Sequence, residues 1–170
     1  MSLGKRTLLI SVILSGMLTI MSSQTMAQQS IYKVQSLYLY NFAKYIQWND
    51  IGDNYVIGIF ANSDAFSELE SVLKPRVVNG KGFEIIKLKD ESEMSKCHIV
   101  FIDDSHAARL RKASELDLKN TLIVTASDQN DNGSNISFVV VDNKLKFKIN
   151  TASCEKKSLA VSNNLLALGV

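Results

Sequence analysis

The side chains best suited to nucleophilic or metal chemistry are the two histidines, His98 and His106, and the two cysteines, Cys97 and Cys154. Nucleophilic catalysis needs a nucleophile, a base and an orienting group held together, and a metal site needs several converging ligands. The run Asp103-Asp104-Ser105-His106 comes nearest to either. It falls where a strand should meet a helix, and there Asp104 or Ser105 is expected to cap the helix beside solvated neighbours. His98 abuts a buried strand and reads as a structural residue. Asp128, Asn130, Asn132 and Gly133 match the opening half of a calcium loop. The closing ligand position holds Val139 instead of Glu, and a strand precedes the loop where a helix should, so polar turn chemistry accounts for the string. No phosphate loop, dinucleotide glycine motif or nucleophile elbow is present. The expectation is a protein that binds another protein, not an enzyme, with no catalytic residue, cofactor or metal.

The elements that would position these residues alternate along the chain. Residues 31–48 lack Gly and Pro and carry apolar side chains at 31, 34, 38, 42 and 45, with others at 37, 39 and 46, which is helical spacing with a wide apolar face. A polar turn follows at 49–54. Strands are expected at 55–61, 83–88, 99–102 and 121–126. Helices are expected from Ser63 or Asp64 to about Leu73 and from about Ala107 to Leu116, with a short helix or turn at 91–96. Segments 136–141 and 145–149 flank Asp142-Asn143-Lys144, a hairpin signal. A closing helix should run from about Thr151 towards Leu168. Strands alternating with helices imply a single three-layer, Rossmann-like α/β domain. Its sheet should be mainly parallel, of about five to six strands, with the C-terminal hairpin as an antiparallel edge.

The N-terminus reads as an export signal. Lys5 and Arg6 precede an uncharged, mostly apolar run from Leu8 to Met21, and Thr25-Met26-Ala27 supplies a small residue at the cleavage point. The run is interrupted by Ser11, Ser15, Gly16 and Thr19 and falls short of the roughly 20 apolar residues of a spanning helix. Residues 1–27 are therefore expected to be a cleaved signal peptide and 28–170 one domain in the periplasm of a Gram-negative bacterium. Of the 19 basic residues in the sequence two lie in the first 27, against none of the 17 acidic ones, so the remainder is balanced at 17 of each. A neutral domain lacks the surplus of Lys and Arg that nucleic acid or an anionic membrane requires, so neither is expected as a partner. In an oxidising compartment Cys97 and Cys154 can pair, closing a large loop that contributes about 4 kcal/mol in the chain-entropy account. The other reading is two separate buried thiols.

The first helix holds four of the five tyrosines and the only tryptophan: Tyr32, Tyr38, Tyr40, Tyr45 and Trp48, together with Phe42. One helix cannot turn all of these into one core stripe, and Tyr and Trp are frequent interface anchors; the other reading is that most of them form the core lid over the sheet, with hydroxyls reaching water at its edge. Tyr40, Asn41 and Lys44 lie off the apolar stripe and, with Trp48, are the candidate partner-binding residues.

The segment from Tyr38 through Asn41-Phe42-Ala43-Lys44-Tyr45 to Trp48 closely resembles the opening helix of the YfiR-like family, small periplasmic proteins of Gram-negative bacteria. Val56-Ile57-Gly58-Ile59-Phe60 resembles its first strand, and Cys97 to Ile102 its cysteine-led central strand. Leu122 to Asp128, the hairpin from Ile136 to Asn150, and Val161-Ser162-Asn163-Asn164-Leu165-Leu166 follow in the family's order. Three positions depart from its pattern. Asn49 stands where proline often follows the tryptophan, the loop Gln129 to Gly133 is more polar than usual, and a second cysteine pair near the C-terminus is missing. The resemblance implies a repressor that binds the periplasmic sensor domain of a membrane-bound diguanylate cyclase and holds down cyclic di-GMP synthesis and biofilm formation. It also implies sequestration by an outer-membrane lipoprotein, and homodimerisation. The alternative is a small-ligand sensor or adaptor for a histidine kinase or a transport system.

Overall fold

A computed structural model describes residues 31–170. The expected signal peptide, residues 1–27, lies outside the described residues. Residues 31–45 form helix α1, which runs directly into a two-residue strand, β1 (Ile46–Gln47). After the turn at 49–53 come β2 (Asn54–Phe60), α2 (Ser63–Leu73), β3 (Gly82–Lys87), β4 (Ile99–Ile102), α3 (Ala108–Ser114), β5 (Leu122–Thr125), β6 (Ile136–Val141) and β7 (Lys144–Ile149). The chain closes with α4 (Thr151–Lys156), β8 (Ala160–Val161) and α5 (Asn163–Leu166).

The main sheet has six strands in the order β3-β2-β4-β5-β6-β7. Every pairing is parallel except the β6–β7 hairpin. The hairpin turns on Asp142 and Asn143, both with positive φ, the geometry that Asp and Asn tolerate in tight turns. Central strands β4 and β5 are buried at every position, as a parallel sheet covered on both faces requires. Successive residues alternate between two cores. Ile99, Phe101, Leu122 and Val124 join α1, α2, α4 and α5 on one face, while Val100, Ile102 and Ile123 join α3 and Met94 on the other. The domain is the three-layer α/β arrangement the sequence led us to expect.

Local chemistry sets the helix ends. Asn62, one residue before the expected caps, accepts from Ala65 N–H at 2.9 Å and starts α2. Asp90 and Glu93 form a reciprocal capping box on the 3-10 helix Glu91–Lys96. The closing helix expected from Thr151 towards Leu168 is instead two short helices. The chain reverses at Ser158, with φ of 61°, and β8 then pairs antiparallel with β1, Ile46 opposite Val161 and Gln47 opposite Ala160.

Candidate functional site

Helix α1 is turned differently from its apolar spacing. Its buried positions are Tyr32, Gln35, Ser36, Leu39, Phe42 and Ala43, a clean 3.6-residue stripe leading to Ile46. Ile31, Val34 and Leu37, expected to face the core, are exposed. Two polar residues sit on the buried face and three large apolar ones on the open face, and this inversion is what apolar periodicity cannot register.

The four candidate contact residues occupy the open side of this helix and the loop after it. Lys44 is exposed, its ammonium 5.0 Å from the centre of the Tyr45 ring. Tyr40 and Asn41 are half-buried. The Tyr40 ring lies between Phe83, 6.2 Å away, and the Arg76 guanidinium at 5.2 Å. Trp48 is half-buried; its indole N–H donates to the carbonyl of Ala43 at 3.3 Å, and its ring meets Tyr55 and His98 edge-on. Tyr40 and Trp48 are thus fixed in orientation while part of each remains open to solvent.

His98 ties this corner together. Its Nδ1 accepts from Val56 N–H at 2.9 Å, and its Nε2 faces the carbonyl of Asp50 at 3.2 Å. A carbonyl can only accept, so Nε2 carries the proton and the ring is neutral. Burial lowers its pKa, and the Asp50 carbonyl opposes the shift. The structural role expected of His98 is the one it occupies.

The Asp103-Asp104-Ser105-His106 run forms a hydrogen-bonded chain in the wrong order for nucleophilic catalysis. Ser105 donates its hydroxyl proton to Asp103 Oδ2 at 2.8 Å, and His106 Nδ1 lies 2.9 Å from the same hydroxyl oxygen. The serine proton therefore goes to a carboxylate with no histidine between them, unlike the serine–histidine–acid order that activates a nucleophile. Neither Asp104 nor Ser105 caps a helix, because residues 104–106 make a 3-10 turn without a side-chain cap. The Asp103 carboxylate is buried and takes a second hydroxyl, that of Tyr32, at 3.2 Å. In the calcium-like loop, Asp128 is held by Lys148 at 2.6 Å, which keeps its carboxyl below the usual range. Among the described residues, no group of three or more His, Cys, Asp or Glu could hold a metal ion.

Cys97 and Cys154 are free, buried thiols in different cores on opposite faces of the sheet. Burial pushes them up to about 12 and about 11, respectively.

One concave feature was not anticipated. A cavity of about 600 Å³ opens at the carboxyl ends of β4 and β5, bounded by the start of α1 and by the hairpin. Tyr32, Gln35, Asp103, Asp104, Asp128 and Phe138 are among its walls. The available signal was Gln35-Ser36, two polar residues inside an otherwise apolar and aromatic helix.

A family model described as YfiR/HmsC-like covers residues 32–170, which is all but the first of the described residues. No curated protein matches the chain significantly.

Proposed function

The chain belongs to the YfiR/HmsC-like family, whose members repress diguanylate cyclases, and on that premise we propose that it is a periplasmic repressor of such a membrane-bound enzyme. It binds the cyclase's periplasmic sensor domain and lowers cyclic di-GMP output. The observation that carries this reading is the extent of the family match, which takes in both layers and the sheet between them. The export signal expected at residues 1–27 and the balanced charge of the rest of the chain support it.

The contact surface we assign is the open side of α1. Val34, Leu37 and Lys44 are exposed there beside the half-buried Tyr40 and Asn41, and Trp48 extends the surface into the following loop. Exposed apolar side chains flanked by orientation-locked aromatics are the composition of interface centres. Tyr40, clamped by Arg76 and Phe83, loses little freedom on docking, so binding carries a small ordering cost.

The test is recovery of partners from the membrane fraction with the tagged protein. A diguanylate cyclase should be captured by the wild type and lost with Leu37→Glu or Lys44→Glu. Deletion of the gene should raise cyclic di-GMP. An unchanged level, or capture of a histidine kinase alone, overturns the reading.

A further inference from the structure

We propose that the cavity at the carboxyl edge of the sheet binds a small organic amine, a protonated amino group on a short apolar body. The proposal is independent of the cyclase reading, since it concerns a different face of the molecule and can be measured with the purified protein alone.

Gln35 provides the first observation. Its side chain is 2% exposed and lines the cavity, and among the described residues its Oε1 has no hydrogen-bond partner. Leaving a buried acceptor unmet costs about 1–3 kcal/mol, so a position that keeps such an atom beside a cavity is matched to a donor arriving from elsewhere. The second observation is charge. Three carboxylates, Asp103, Asp104 and Asp128, face one ammonium, Lys148, and that ammonium is already bound to Asp128 at 2.6 Å. Among the described residues Asp103 receives hydroxyl protons from Tyr32 and Ser105 and no cation. The wall is therefore rich in acceptors with a surplus of negative charge. An alkylammonium has three donors and no acceptor and fits that wall, whereas an anion does not.

The third observation is the opposite wall. Ala126, Val139 and Leu145, each part-exposed, line it and offer an apolar surface to a ring or a short chain. A volume of about 600 Å³ falls within the range of small-molecule sites, and the location fits as well: doubly wound sheets commonly bind ligands outside the carboxyl ends of their strands.

Phenethylamine, with one ammonium and one ring, is the probe, and phenylacetate, with the same ring but a carboxylate, is the control. Calorimetric titration of the purified protein should give saturable binding of phenethylamine and binding of phenylacetate weaker by about tenfold or more. Gln35→Leu should weaken amine binding by about tenfold, since a hydrogen bond to a charged group is lost. Its urea midpoint should equal or exceed that of the wild type, because an unmet acceptor is replaced by apolar atoms. Asp104→Asn, at an exposed position that leaves the fold intact, should weaken the amine severalfold and narrow its advantage over phenylacetate. Absence of saturable amine binding, equal affinity for phenylacetate, or unaltered binding by both variants overturns the proposal.

Discussion

Gly58 has no room for a side chain. A Cβ there would stand 2.6 Å from Cys97 Sγ and 2.7 Å from Leu88 Cδ1, so the glycine is what lets the thiol and the leucine pack against the middle of β2. Gly58→Ala should destabilise by about 1–3 kcal/mol through overpacking. Adding Cys97→Ala should recover part of the loss, read as non-additive free energies in a double-mutant cycle from urea unfolding. Asn135 illustrates a different dependence. It is fully buried; its Oδ1 accepts from Ile123 N–H at 2.8 Å, extending the β5–β6 ladder one residue before β6 begins, and its amide donates to Ser153 at 2.7 Å. Asn135→Leu strands both partners and should cost about 1–3 kcal/mol, which unfolding curves would register; an unchanged midpoint contradicts this account. His98 adds a pH dependence with a defined sign. Its folded pKa lies below the ordinary value, near 6.5, so its contribution is complete above that value and lost as the pH falls through the lowered one. Protonation puts an N–H against that of Val56 and a charge beside Trp48, the only tryptophan. Trp48 fluorescence should therefore titrate with a midpoint below about 6.5, and the step should vanish in His98→Asn. A midpoint at or above the ordinary value refutes the neutral, buried ring.

Helix α1 shows what sequence reading reaches and where it stops. The existence of the helix, its lack of breakers and its aromatic load were all legible. Its rotation was not, because Gln35 and Ser36 are buried and satisfy rules other than hydrophobicity: Ser36 Oγ donates back to the carbonyl of Tyr32 at 2.7 Å, and Gln35 faces the cavity. The strands were easier to read. In β4 and β5 every residue is buried, so a short apolar run bounded by polar turns is nearly unambiguous. The end of the chain was harder, since β8 is only two residues long and exists by pairing with β1 across a distance in sequence that no local signal spans. The rotation of α1 has a testable consequence of its own. Leu37, at 41% exposure, is removed from any core, so Leu37→Glu should leave the thermal midpoint nearly unchanged while abolishing partner capture. A substantial loss of stability would return Leu37 to the core and move the contact surface elsewhere.

For the molecule as a whole, the two cysteines make a reporter of both layers at once. Each thiol is buried in a different core, and each has a raised pKa, about 12 for Cys97 and about 11 for Cys154. The thiolate is the reactive form, so a thiol reagent at mildly alkaline pH should label neither in the native protein. On urea unfolding, without reductant, two thiols per chain should appear together with the loss of Trp48 signal. Fewer than two in the unfolded protein means that they pair, and early release of one means that its layer opens on its own. The sequence left open whether these cysteines meet, because which face of the sheet the turn at Cys97 and the helix carrying Cys154 each cover appears only once the sheet is ordered. The pairing of β1 with β8 bears on timing as well as on shape. The strand that extends α1 finds its partner only when nearly the last residues of the chain are available, and contacts of such wide separation form slowly. An unfinished chain therefore cannot close this seam: until Ala160 and Val161 are available, Ile46 and Gln47 have no strand partner.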